Sequence, residues 1–186
     1  MGLAALLLPV ALLLGLTLKS TTLEELVRGS AVIVEGTAGT SHSYWDAEGR
    51  KIYTDTNFLI SEKYKGGDLP ETIVIHQLGG QVGEIGMEIG GVTFLQQGEH
   101  LVLCLNRVSG SQGWAIHSMV LGKFYVNREA GQTIVRNAVA GSGAALKPAK
   151  NSSPGVDVEF NGMQYTQFIR RLESAIRTTS GNAGTE

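Results

Sequence analysis

Between Gly2 and Leu18 the chain carries no charged side chain, and Leu, Ala and Val dominate the stretch. An apolar run of this length, interrupted by Pro9, reads as the core of an export signal. A soluble helix that is hydrophobic all round would have no face for solvent. Residues 1–20 are therefore expected to act as a signal peptide, although neither a basic start nor an Ala-x-Ala cleavage pattern accompanies them. The alternative is an uncleaved signal anchor, since about 17–25 apolar residues can span a bilayer.

Beyond this segment the period changes twice. Thr22 and Glu25 stand at capping-box spacing, Leu23, Leu26 and Val27 share one helical face, and Gly29 can end the turn, so a short helix is expected here. From Ala31 to Trp45, starting with Val32-Ile33-Val34, the pattern is that of a long strand. Asp46–Gly49 supplies a turn, and from Ile52 to Tyr64 apolar and polar positions alternate as in a half-buried strand. Further strands are expected over Thr72–Leu78, His100–Asn106 and Trp114–Asn127, and Lys123–Asn127 pairs with Thr133–Asn137 in a hairpin around Glu129-Ala130-Gly131. Gly79–Met87 is dense in glycine and reads as a bulged, tightly turned strand.

From Ala138 to Glu159 the chain is rich in Gly, Ser, Ala and Pro with little periodicity, which predicts a flexible connector over 138–159. A helix over 160–178 follows, with Asn161 as cap and Tyr165, Phe168, Ile169, Leu172 and Ile176 in one stripe, and then a disordered polar tail over 179–186. The expected fold is mainly β: residues 21–137 form a small antiparallel, OB-like β-barrel, with a short N-terminal helix and a C-terminal amphipathic helix. Closure would remove exposed strand edges. A β-sandwich is the competing architecture.

Composition narrows the function. The chain has 17% charged residues and a formal net charge of −2, so the clustered Lys and Arg that hold phosphates are missing and nucleic-acid binding is not expected. The single cysteine, Cys104, lies in the apolar run Leu101–Leu105. It reads as a small buried hydrophobe, with neither an intramolecular disulfide nor a lipid anchor available to it.

The order Ser30-Ala31-Val32-Ile33-Val34-Glu35-Gly36-Thr37, Tyr64-Lys65-Gly66-Gly67, Gly79-Gly80 and Phe94-Leu95-Gln96-Gln97-Gly98-Glu99 resembles uncharacterised exported bacterial β-barrel proteins. More distantly it resembles the netrin-type OB-fold module of tissue inhibitors of metalloproteinases. The resemblance covers roughly residues 23–126 and implies a five-stranded barrel with a protein-binding or inhibitory role. The N-terminal Cys through which those inhibitors ligate zinc has no counterpart here, so the barrel is what carries over.

Candidate chemistry is sparse. The Gly79–Gly91 stretch matches neither G-x-G-x-x-G nor the P-loop, and no cofactor is expected. His42, His76, His100 and His117 show no i, i+4 pairing, and no metal site or catalytic residue is assigned; His76 and His117 could still converge across strands to bind zinc. The carboxylates Asp46, Glu48 and Asp55 read as solvated groups flanking a hairpin. Tyr44, Trp45 and Arg50 are the best recognition candidates, because aromatics and Arg are favoured at interfaces; the equal alternative for Trp45 is closure of the end of the barrel. Gln81 and Glu84 in the glycine-rich stretch complete the candidate ligand-binding set.

These features predict an extracytoplasmic (periplasmic or secreted), non-enzymatic binding module with an envelope or extracellular protein as partner. Membrane contact is expected only through residues 2–18, if they are retained. The alternative is a metal-assisted hydrolase with a cross-strand His and acidic site; a structural envelope component is the third reading.

Overall fold

A computed structural model describes residues 17–19, 21–141, 145–147 and 162–181. In chain order the elements are β1 (Thr17–Lys19), α1 (Leu23–Gly29), β2 (Val32–Trp45), β3 (Ile52–Lys65), β4 (Thr72–Leu78), β5 (Gly80–Val82) and β6 (Ile85–Met87). Then come β7 (His100–Arg107), β8 (Trp114–Ile116), β9 (Lys123–Glu129), β10 (Gln132–Asn137), β11 (Ala145–Lys147), β12 (Met163–Gln164) and α2 (Tyr165–Gly181). The protein is mainly β, as its sequence predicts.

Eight strands form one sheet in the order β12-β10-β9-β7-β2-β3-β4-β8. β8 also pairs with β7, so the pairings β7-β2-β3-β4-β8 return on themselves. The link between β4 and β8 is parallel and runs through Ile75 and Trp114; the other pairs in this ring are antiparallel. One face of the ring gathers Val34, Phe58, Ile75, Leu101, Leu103, Leu105 and Trp114. The other face carries Ile33, Val102 and Cys104, which together with Phe124 of β9 pack under both helices through Leu26, Val27, Phe168 and Leu172. Strands β2 and β7 are thus covered on both sides, and this is why they read as continuous apolar runs rather than alternating ones.

The local signals of α1 are realised. Thr22 accepts from the Glu25 amide at 3.0 Å and Glu25 reaches back to the Thr22 amide at 3.1 Å, a capping box that stabilises such a helix by about 1 kcal/mol. The β2–β3 ladder shifts register at three places. One of them is Gly36, where an added Cβ would lie 2.1 Å from the Leu59 carbonyl oxygen. Only glycine lets the strands approach that closely.

Three expectations are corrected. The long strand over Trp114–Asn127 is two strands, β8 and β9, separated by a 3₁₀ turn at Met119–Gly122. Ser118 and Met119 both adopt left-handed backbone (φ 54° and 56°), and Gly122 passes so close that a Cβ there would sit 2.3 Å from the His117 carbonyl oxygen. The C-terminal helix starts at Tyr165 rather than at 160, because Met163 and Gln164 are drawn into pairing with Val135 and Ile134. It also continues past 178: Thr178 and Thr179 donate to the carbonyls of Ser174 and Ala175 four residues back, so their hydroxyls follow the helix instead of fraying it.

In the expected connector, Ala138–Gly141 forms a 3₁₀ turn and Ala145–Lys147 pairs in parallel with Thr17–Lys19. Residues 142–144 and 148–159 lie outside the described residues, as do the helix-cap candidate Asn161, the tail at 182–186 and the export segment over 1–16. Among the described residues no helix is long and apolar enough to cross a membrane.

Candidate functional site

Strand alternation places His42 and Tyr44 of β2, Tyr53 and Asp55 of β3, and His76 of β4 on one face of the sheet. Register completes the arrangement: His42 opposes Asp55, Tyr44 opposes Tyr53, and Asp55 opposes His76. Asp55 holds two of these rings at once. Its Oδ1 lies 2.6 Å from His76 Nδ1, and its Oδ2 accepts from the Tyr44 hydroxyl at 3.1 Å. A carboxylate can only accept, so His76 Nδ1 carries the proton and Nε2 is left with the lone pair in the neutral ring.

Stacking fixes the remaining rings. Tyr53 and His76 lie 4.6 Å apart at 20° and His42 and Tyr44 6.0 Å apart at 14°, separations at which ring pairs attract beyond their simple burial. Burial raises the Tyr44 pKa above the ordinary phenol value, and the bond to Asp55 raises it further. The hydroxyl therefore stays protonated as a donor.

The five sequence candidates fall on different parts of this region. Tyr44 belongs to the aromatic face. Trp45 points the other way, opposite Ile52 and half-buried. Arg50 is tied into the β2–β3 turn, its amide donating to Asp46 Oδ1 at 2.7 Å and its guanidinium pairing with Glu48. Gln81 donates to the Gly83 carbonyl at 3.0 Å and lines a groove of about 490 Å³ with Ser43, Thr54 and Phe94. That groove opens on the face opposite Tyr44. Glu84 stands exposed at the β5–β6 turn. The glycines here have a definite cause: a Cβ on Gly80 (φ 130°) would lie 2.2 Å from Thr54 Oγ1 and 2.7 Å from Ser43 Oγ, so only glycine lets β5 rest on those hydroxyls.

Two carboxylates have roles that the sequence reading did not assign. Asp55 is a hydrogen-bonded centre rather than a simply solvated group. Glu35 is 6% exposed and receives three partners: the hydroxyls of Tyr64 and Tyr165 at 2.5 and 2.8 Å, and His100 Nε2 at 2.6 Å. These partners come from β3, α2 and β7, so one carboxylate fastens the last helix to the sheet. Burial raises the pKa values of Tyr64 and Tyr165, and the bonds to Glu35 add to this. Alternation alone would have put Tyr53 beside Asp55, but neither pairing register nor helix docking is written in a single strand's pattern.

The remaining histidine is local. His117 Nδ1 accepts from Asn106 Nδ2 at 3.0 Å, and Asn106 also bonds Gly29 and Ala31. Burial lowers the His117 pKa, with a further contribution from Lys65. His76 and His117 thus keep separate partners, and among the described residues no three His, Cys, Asp or Glu groups are placed to hold a metal ion. Compared with known proteins, the chain matches no family model and no curated protein.

Proposed function

We propose that this protein is an extracytoplasmic, non-enzymatic binding module whose ring of strands forms a small OB-like barrel. The β7-β2-β3-β4-β8 circuit supports that architecture, as does the resemblance to the netrin-type module noted above. Its recognition surface is the aromatic face of β2, β3 and β4, and its partner is an envelope or extracellular protein.

One observation carries this reading. Asp55 bonds Tyr44 and His76 together, with Tyr53 stacked on His76, so these ring positions are fixed before any partner arrives. Pre-ordered aromatic side chains lose little conformational freedom on binding and dominate many interfaces. The test is capture from periplasmic or extracellular fractions on immobilised protein, comparing wild type with Tyr53→Ala. The expected result is a protein retained by wild type and lost with the variant. No retention at several salt concentrations, or retention indifferent to Tyr53, would overturn it.

The Asp55–His76 pair also favours a second reading as a hydrolase. A carboxylate on Nδ1 leaves Nε2 oriented as a general base or a metal ligand. Metal analysis of the purified protein separates the two readings, because stoichiometric zinc would favour the hydrolase.

A further inference from the structure

The face of β2 and β3 that carries Val34, Ala38 and Phe58 in the core changes character further along the same strands. A register shift between Ala38 and Ser41 brings Ser41 and Ser43 onto that face, opposite Thr56 and Thr54. The hydroxyls pair across the ladder as Ser41–Thr56 and Ser43–Thr54, each at 2.9 Å. Here the apolar core gives way to the groove of about 490 Å³, which Gln81 and Glu88 border on one side and Phe94, Gln96 and Gln97 on the other. Sites for small molecules span roughly 300–1,000 Å³.

Hydrogen-bond roles in the groove follow from its fixed partners. Thr54 has a single hydroxyl proton, and that proton goes to the Gly79 carbonyl at 2.8 Å. Ser43 must then donate to Thr54, and its own oxygen is left to accept. The Gln81 amide donates to the Gly83 carbonyl and the Gln96 amide to the Phe94 carbonyl, so among the described residues each Oε1 stays without a partner. Glu88 is exposed and makes no hydrogen bond or ion pair among the described residues. Its carboxylate is the one ionisable group among the described lining residues, with no Lys, Arg or His beside it. The amides serve as donor or acceptor alike, whereas the two groups held to one role, Ser43 and Glu88, both accept.

We propose that this groove binds a small organic ammonium ion. Its charge pairs with Glu88, its N–H groups donate to acceptors of the lining, Ser43 and the amide oxygens among them, and its hydrocarbon part rests on Met87 and Phe94. The lone carboxylate repels an anion, and a neutral polyol would leave that charge unused. Ser43 and Thr54 stand on the face of β2 and β3 opposite Tyr44 and Tyr53, so this site does not depend on the protein partner proposed above.

The experiment titrates the full chain with benzylammonium, with benzyl alcohol as its neutral counterpart and with benzoate as an anion, and follows backbone amide resonances by NMR. Saturable shifts at Gly80, Gln81, Gln96 and Gln97 are expected with benzylammonium. At low salt it should bind about fivefold more tightly than the alcohol, the gain that one exposed ion pair gives. Glu88→Gln keeps the side-chain shape without the charge and should bring amine and alcohol level, as should high salt in the wild type. No saturable binding of the amine, shifts located elsewhere, benzoate bound as tightly as the amine, or an amine preference that survives Glu88→Gln would each overturn the proposal.

Discussion

His76 and Asp55 face one another across the β3–β4 ladder with Nδ1 and Oδ1 2.6 Å apart, and this one contact sets the tautomer of the histidine. In Asp55→Ala the imidazole loses its acceptor, and the proton is expected to move to Nε2, the usual preference of a free ring. Nitrogen chemical shifts of His76 report this directly. Because the pair keeps partial contact with solvent, 18% for His76 and 34% for Asp55, the accompanying loss of stability should be small, about 1 kcal/mol. An unchanged Nδ1–H signal would mean that the contact does not form in solution.

Glu35 has a larger effect. Glu35→Ala leaves Tyr64, Tyr165 and His100 without their common partner, and the cost is expected to reach about 2–3 kcal/mol, since bonds to a buried charge are the stronger kind. The loss should concentrate at α2. Amide hydrogen exchange over residues 165–181 is expected to rise, while β2 and β7 remain protected.

Acidification should weaken the fold through His117. Its pKa is lowered in the folded protein by burial, so the unfolded chain takes up the proton first. This group leaves stability intact at neutral pH and subtracts from it as pH falls below about 6.5, the ordinary histidine value. The decline continues down to the folded pKa and then levels. The difference in denaturation midpoint between wild type and His117→Gln should therefore stay constant at alkaline pH and shift in favour of the variant towards pH 5, the variant being less sensitive to acid.

Cys104 should be inert in the native protein. It is fully buried, and burial raises its pKa to about 12, against smaller opposing effects from Ser30 and Lys65. Alkylation by iodoacetamide is expected only at the rate of unfolding, and denaturant should accelerate it sharply. Rapid labelling at neutral pH would show that β7 is accessible.

Much of the fold is legible in the sequence because it is locally encoded. The Thr22–Glu25 capping box, the alternation over Ile52–Ile60 and the turn at Glu129–Gly131 each announce an element without help from the rest of the chain. The break at Ser118–Met119 is not announced, since two ordinary residues adopt a conformation that tertiary packing imposes. The same distinction divides the site. Tyr44 is conspicuous as an aromatic near a hairpin, whereas its partners Asp55 and His76 are chosen by strand register. Glu35 acquires its role from a tyrosine 130 residues further on.

The packing of α1 against α2 also constrains how the protein is made. Leu23, Leu26 and Val27 from the first helix share a core with Phe168, Leu172 and Ala175 from the last. A nascent chain that has not yet emerged beyond residue 165 therefore leaves the outer face of β2, β7 and β9 covered by α1 alone. Folding of this layer must wait until α2 has been synthesised, and pairing across such sequence distance is slow. Truncated or stalled chains should consequently be the species that aggregate and that quality-control proteases remove.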